Sequence, residues 1–196
     1  SVHNVSIGRE FLNCENSLAA LEELILDGFS LNRIEANAFL QLTSLVRLIL
    51  SNDRIEHLDR DAFVGLANLK GLYLYANSIQ EFGGQFPFEN LPGLEKLCLS
   101  NNRVTSESLM SGNGGLFRNL NKLKSLSLSK NRISKLESGL FESVIDLVEL
   151  DLSSNEIESL EHETAFKGLA RLEKLDLSKN CLLYTSPSPR DRGNHL

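Results

Sequence analysis

Hydrophobic residues recur along the chain in the motif Leu-x-x-Leu-x-Leu, with polar or variable residues between them. The motif begins at positions 21, 45, 69, 94, 123, 147 and 172, so consecutive copies are 24, 24, 25, 29, 24 and 25 residues apart. A Phe stands six residues before each later copy, and a Leu or Val stands three before it. This fixed register indicates a repeat protein, because a single unit cannot bury its own apolar side and is stable only when stacked on its neighbours.

Within each copy, the alternation Leu-x-Leu has the two-residue period of a β-strand. One strand per repeat predicts a parallel sheet with strands ~4.8 Å apart, whose leucines point into the core while the residues between them point outward. The Phe positions are predicted to pack as a spine on the opposite side. We therefore predict an α/β repeat solenoid, with a concave parallel β-sheet and an irregular or short-helical convex side.

An asparagine stands eight residues after the start of five copies. We predict that its side chain satisfies backbone groups where the chain leaves the strand, and that stacked copies form a ladder between repeats. The five are Asn77, Asn102, Asn131, Asn155 and Asn180. Phe29 and Asp53 occupy this position in the first two copies. Asp53 still offers an acceptor, whereas Phe29 offers none, so we expect the ladder to be broken there.

The pattern divides the chain into three segments. Residues 1–20 read as a degenerate partial repeat, and residues 21–180 form the array, whose last copy is truncated. The fourth copy carries five additional residues within 105–115, and their Ser, Gly and Asn content predicts a mobile, protruding loop.

Residues 181–196 break the repeat pattern and contain two of the four prolines of the chain. Back-translated, the segment from Cys181 to Asp191 resembles a transposase sequencing adapter read in frame. We therefore expect a non-native, adapter-derived tail. A natural Pro/Ser-rich linker is the alternative.

The motif, the Phe spine and the Asn positions together resemble the leucine-rich repeat family, in its form of roughly 24 residues. This form is similar to animal extracellular proteins: Toll-like receptors, Slit, chaoptin-like adhesion proteins and small proteoglycans. The uneven repeat lengths and the insertion at 105–115 resemble Toll-like receptors most. The resemblance implies a horseshoe-shaped, non-enzymatic binding module.

The same resemblance implies a place for the parent protein, either at the extracellular face of the plasma membrane or secreted. A Toll-like parent would bind a ligand, dimerise and be anchored in the membrane outside this segment. An adhesion or guidance protein of the chaoptin or Slit type, or a secreted matrix-binding protein, is the alternative.

Composition and motifs exclude several functions. The chain has 20 Lys and Arg against 26 Asp and Glu, a net charge of −6, which argues against a nucleic-acid partner. Its scattered histidines and its lack of nucleophile, phosphate-loop or zinc motifs predict no catalytic residue, cofactor or metal site. Cys14 and Cys98 lie several predicted strands apart, so we expect no disulfide between them. Asn4 begins an Asn-Val-Ser sequon and is the candidate glycosylation site.

The outward positions of the predicted sheet define a candidate binding face, which is apolar and aromatic in its N-terminal half and small and acidic in its C-terminal half. We predict that a protein or other macromolecular ligand binds the N-terminal half, because exposed tyrosines beside aliphatic side chains suit an interface hot spot. The candidate contacts are Ile25, Ile49, Tyr73, Tyr75, Arg47 and Lys96. Gly71 is expected to leave room for the ligand. The alternative is that Tyr and Ile are simply good strand formers.

Overall fold

The computed structural model describes residues 5–7, 18–82, 86–110, 115–160 and 164–183. Short strands joined by turns make up this part of the chain, together with a single-turn helix. The elements are β1 (Val5–Ile7), β2 (Glu23–Asp27), β3 (Leu31–Ile34), β4 (Arg47–Ser51), β5 (His57–Leu58), β6 (Gly71–Tyr73), β7 (Lys96–Cys98), α1 (Ser106–Leu109), β8 (Ser125–Ser127), β9 (Glu149–Asp151) and β10 (Lys174–Asp176).

Seven strands form one parallel sheet in the order β10-β9-β8-β7-β6-β4-β2. Equivalent positions of the motif are partners across the whole sheet, from Leu24 opposite Leu48 to Leu150 opposite Leu175. The predicted parallel-sheet solenoid is therefore confirmed. The sequence pattern did not predict a second, smaller parallel sheet, which has the order β1-β3-β5. Its strands β3 and β5 each follow the turn after a strand of the large sheet.

On the side of the solenoid opposite the large sheet, phenylalanine rings of successive repeats stack on one another. The rings form two stacked runs, Phe39–Phe63–Phe88 and Phe117–Phe141–Phe166, with centroids 6.0 to 6.5 Å apart. The 29-residue repeat lies between the two runs. Together with the strand leucines, these rings form one continuous core along the array.

The asparagines form a ladder of hydrogen bonds that joins neighbouring repeats. The Oδ1 of Asn102 accepts from the N–H of Ile79 in the preceding repeat at 3.0 Å. Its Nδ2 donates to the Leu74 carbonyl of that repeat at 2.9 Å and to the Leu99 carbonyl of its own repeat at 3.0 Å. The other four make the equivalent bonds: Asn77, Asn131, Asn155 and Asn180.

A left-handed turn precedes every position of the ladder. The residues with this backbone conformation are Gly28, Asn52, Ala76, Asn101, Lys130, Ser154 and Lys179, with φ between 54° and 73°. An L-residue other than glycine adopts this conformation at a cost of roughly 1–2 kcal/mol. Such a cost persists only where the surrounding structure fixes the backbone, and here the ladder and the strand pairing do so.

The insertion in the fourth repeat differs from its prediction. Thr105 and Ser108 form a capping box that begins α1, and Leu109 in that helix is fully buried. The prediction of a protruding loop is therefore wrong for residues 105–110, because burial of the Leu109 side chain draws the segment onto the core. Residues 111–114 lie outside the described residues.

The ladder is incomplete at Asp53. Its Oδ1 accepts from the Leu31 N–H at 3.2 Å, as an asparagine would, but a carboxylate has no donor for the neighbouring carbonyls. Within the described part of the chain, its Oδ2 is buried and has no hydrogen-bond partner. Burial raises the pKa of Asp53 above its usual value, against the opposing effect of the nearby backbone N–H groups.

The repeat geometry continues past the predicted end of the array. The Leu183 N–H donates to the Glu158 carbonyl at 2.8 Å, as the Glu158 N–H donates to the Ser134 carbonyl one repeat earlier. The proposed origin of residues 181–196 stays a prediction, since residues 184–196 lie outside the described part. Asn4 and Cys14 also lie outside it.

The substitution Asp53→Asn should stabilise the protein, because the amide restores the missing donor. We expect a gain of ~1 kcal/mol in the free energy of unfolding at neutral pH. The raised pKa means that the folded protein binds a proton before the unfolded chain does as the pH falls. The unmodified protein therefore recovers stability as the pH falls through the folded pKa, and the advantage of the variant should shrink.

Urea unfolding of both proteins, at neutral pH and below the ordinary aspartate pKa of 3.8, measures this difference. An advantage that is absent, or that is the same at both pH values, would contradict the role given to Asp53.

The inward and outward positions of β8 can be tested with adjacent residues. Leu126 is 1% exposed, so Leu126→Ala should cost ~2–5 kcal/mol through its cavity. Ser127 is half-buried on the opposite face and donates to Asp151, so Ser127→Ala should cost at most ~1 kcal/mol. Denaturant unfolding of the two variants measures both losses in the free energy of unfolding. Equal losses would mean that the assignment of inward and outward positions is wrong.

Candidate functional site

The outward face of the large sheet consists of columns of side chains that run across the strands. The column of residues between the strand leucines is Ile25, Ile49, Tyr73, Cys98, Ser127, Asp151 and Asp176. A flanking column is Glu23, Arg47, Gly71, Lys96, Ser125, Glu149 and Lys174. The structure therefore places five of the six candidate contact residues in these columns, and Tyr75 follows two residues after β6.

Tyr73 lies back across its own strand and does not stand upright from the sheet. A Cβ atom added to Gly71 would be 2.9 Å from Tyr73 Cε2, so the ring covers the space above this glycine. The Arg47 guanidinium, on the neighbouring strand, lies 5.1 Å from the centroid of the same ring, within the range of a cation–π contact. Arg47 in turn pairs with Glu23 at 3.1 Å. The expected free space at Gly71 is thus filled by the Tyr73 ring.

The four apolar and aromatic candidates differ in accessibility. Ile25 is 53% exposed, and Tyr73 and Tyr75 are half-buried. Ile49 is only 9% exposed, so the expectation that it forms part of an exposed patch is wrong. Its register partners Ile25 and Tyr73 are large and flank it on both neighbouring strands, which leaves little of Ile49 open to solvent. A ligand on this face would meet Ile25 and the tyrosines first.

Phe29 adds an apolar surface that is not among the predicted contact residues. It follows β2 at the position of the missing asparagine and is 53% exposed. Its side chain is open to solvent, whereas Asn102, Asn131 and Asn155 are buried at the equivalent positions. The broken ladder position is the signal that could have identified it.

The flanking column is largely neutralised by ion pairs between neighbouring repeats. Lys174 pairs with Glu149, and Arg47 pairs with Glu23. The Lys174 ammonium holds the pKa of Glu149 below its usual value. Lys96 is exposed and forms no ion pair with any described residue, so it is the available cation of this column.

The C-terminal half of the face is lined by hydroxyl groups around Asp151. Its carboxylate accepts from Ser127 Oγ at 3.1 Å and from the Ser153 N–H and Oγ at 3.0 and 2.7 Å. Although burial acts in the opposite direction and is the largest single cause, these serines together lower the pKa of Asp151, so the group is held as an anion.

Three other features bear on the chemistry of the molecule. Cys98 is a half-buried free thiol 3.1 Å from Ser100 Oγ. Among the described residues, no group of His, Cys, Asp and Glu has the arrangement of a metal site, and no helix is long and apolar enough to cross a bilayer.

A polar pocket of about 440 Å³ lies on the smaller sheet. Its lining includes the ion pair of Arg33 and Asp59, in which Arg33 Nη2 lies 2.6 Å from Asp59 Oδ1. Its acidic and basic side chains occur in similar numbers, and it is separate from the columns described above. The charged lining residues are Arg33, Asp59, Arg60, Asp61 and Glu81, and His57 also lines the pocket.

Comparisons with known proteins identify a family and similar solved structures. A family model described as "Leucine rich repeat" matches residues 43–104, 104–157 and 145–188. A leucine-rich repeat protein of Leptospira interrogans is similar in structure, with a TM-score of 0.68 and 32% sequence identity over 82% of this chain. The match spans 38% of the length of that protein. A comparison with curated proteins gave no match.

Gly71→Ala tests the position of the Tyr73 ring. The added methyl group would clash with the ring edge, which can move because it is the far end of a flexible side chain. We expect the ring to swing into solvent and Tyr73 to be nitrated faster by tetranitromethane, as measured by peptide mapping. The free energy of unfolding should change by less than ~1 kcal/mol.

Gly93→Ala is the matched control, because its new methyl group would contact the Ala67 carbonyl and the Lys70 side chain, remote from Tyr73. If Tyr73 reacts at the same rate in both variants and in the unmodified protein, the ring does not cover Gly71.

Proposed function

The chain belongs to the leucine-rich repeat family, and from this premise we propose that it is a non-enzymatic module that binds a protein or other macromolecule on its concave sheet. Proteins with this fold generally act as binding scaffolds. The observation that carries the proposal is the exposed Ile25, two strands from the half-buried Tyr73 and Tyr75, on a face that the described chain leaves open.

The geometry of Tyr73 supports recognition more than a purely structural role. A ring that packs over Gly71 and against Arg47 is ordered before binding, so the Tyr73 side chain loses little conformational entropy when a ligand packs on it. Tyrosine and arginine are also the residue types that dominate interface energetics. On the strand at the other side of the ring, Lys96 supplies a cation that pairs with no described carboxylate.

At a finer level, we propose that the chain is an internal part of an extracellular receptor ectodomain of the Toll-like type. The 24-residue Phe-spine repeat, the uneven repeat lengths and the insertion after Val104 support this proposal. The parent protein would lie at the extracellular face of the plasma membrane and dimerise on binding its ligand. A cell-adhesion or guidance protein of the chaoptin or Slit type, or a secreted matrix-binding protein, is the second candidate, supported by the same repeat.

Binding through the concave face is tested with Tyr73→Ala combined with Tyr75→Ala. Purified secreted proteins and receptor ectodomains are immobilised as an array, and the protein is applied in unmodified and variant forms. For any protein that binds, the double variant should lose ~2 kcal/mol or more of binding free energy, roughly a thirtyfold loss in affinity.

Leu40→Ala combined with Ile145→Ala is the matched control, because both residues are exposed and apolar but lie outside the sheet. It should bind like the unmodified protein. Equal affinity of all three forms would exclude the tyrosines from the binding site.

The receptor and adhesion candidates differ in the segments that the parent gene encodes after the array. Sequencing the native transcript beyond the codon of Asn180 should reveal further repeats, a membrane helix and a cytoplasmic signalling domain. A lipid-anchor signal or further secreted modules would instead favour the adhesion or matrix protein. A genomic copy that encodes Cys181 to Leu196 would contradict the adapter origin of the tail.

A further inference from the structure

We propose that the partner of the concave face is a polypeptide segment with an apolar side chain at one end and arginine or lysine side chains at the other. The apolar side chain packs on Tyr73 and Tyr75, and the cationic side chains pair with Asp151 and Asp176. This inference rests on the proposed function and names the chemistry of the partner.

The carboxylates of the two columns differ in how they are neutralised. Glu23 and Glu149, in the flanking column, each have an arginine or lysine partner from a neighbouring repeat. Asp151 and Asp176, in the central column, form no ion pair with any described residue. The sheet therefore presents two uncompensated negative charges in addition to its aromatic patch.

Neutral donors hold the Asp151 carboxylate in place. Donors from Ser127, Ser129 and Ser153 surround its carboxylate, so its orientation is fixed without a positive charge. Asp176 is its partner in the register of the next strand and is exposed, with one hydrogen bond from the Ser178 N–H. A cationic side chain that approaches the face can contact both carboxylates, and neither must first leave an internal ion pair.

The spacing of the strands gives the dimensions of the partner. Tyr73 lies on β6 and Asp151 on β9, three strands away, and Asp176 lies on the next strand. With strands ~4.8 Å apart, the two carboxylates are ~14 and ~19 Å from the aromatic patch along the array. An extended segment advances ~3.3 Å per residue, so these distances correspond to about four and six residues. Both separations are even, which places all three side chains on one face of an extended peptide.

The probe is a fluorescein-labelled synthetic peptide of Ser and Thr residues that carries a Trp and, four and six residues later, two Arg. A first control peptide has Glu in place of both Arg. A second has the Arg residues moved to positions three and five after the Trp, which points them to the opposite face. Fluorescence anisotropy at low and high salt gives the affinity of each peptide for the full chain.

Asp151→Asn combined with Asp176→Asn removes both charges and keeps an oxygen acceptor for the surrounding serines. Asp61→Asn combined with Glu81→Gln is the matched control, because it removes the same charge from the polar pocket on the smaller sheet. We expect the first double variant to bind the Trp–Arg peptide at least tenfold more weakly at low salt, with a smaller loss at high salt. The matched control should bind like the unmodified protein, and both control peptides should bind at least tenfold more weakly.

The outcomes separate this inference from the proposed function. If Tyr73→Ala with Tyr75→Ala weakens peptide binding and the double Asn variant does not, the binding face stands and the cationic partner is wrong. If neither double variant weakens binding, both proposals fail. Equal affinity for the two arrangements of Arg would contradict the predicted spacing, and no binding at peptide concentrations up to about 1 mM would contradict the inference as a whole.

Discussion

The hydrogen bonds of the asparagine ladder are the interaction on which the rest of the structure depends. Where the chain leaves each strand, the backbone of the turn is buried. A buried backbone N–H or C=O group without a hydrogen-bond partner costs folding free energy. Asn77, Asn102 and their equivalents solve this with one side chain, whose oxygen accepts from the preceding repeat while its nitrogen donates to carbonyls of both repeats. These bonds and the strand pairing together fix the left-handed turns and the register of the sheet.

Because core residues fix the register of the strands, the residues on the outward face of the sheet can differ from repeat to repeat. The leucines and asparagines account for the stability of the array, so the residues between the leucines can be aromatic, hydroxylic or acidic without altering the fold. In this chain they change from Ile25 and Tyr73 at one end to Asp151 and Asp176 at the other. The same separation of core from surface makes the concave sheet the natural place for recognition.

Much of the fold and of the candidate binding face could be predicted from the sequence, because the repeat period identifies which positions share an environment. The strands of the large sheet, their parallel order and the facing of Leu126 and Ser127 follow from that period alone, whereas the smaller sheet does not. The accessibility and orientation of individual side chains did not follow from the repeat period, because they depend on the neighbouring side chains. Ile49 is buried by larger residues on the adjacent strands, and the ring of Tyr73 occupies the space above Gly71. The insertion packs on the core through Leu109, which an interpretation based on its Ser and Gly content overlooked.

Amide hydrogen exchange tests the central role of the ladder most directly. The N–H groups of Ile79, Val104 and Ile133 each donate to a ladder asparagine in the next repeat. If the ladder holds the array together, these amides should exchange only through global unfolding and belong to the slowest class in the chain. Exchange as fast as that of the turns between Phe and the following strand would mean that the repeats are held by apolar packing alone.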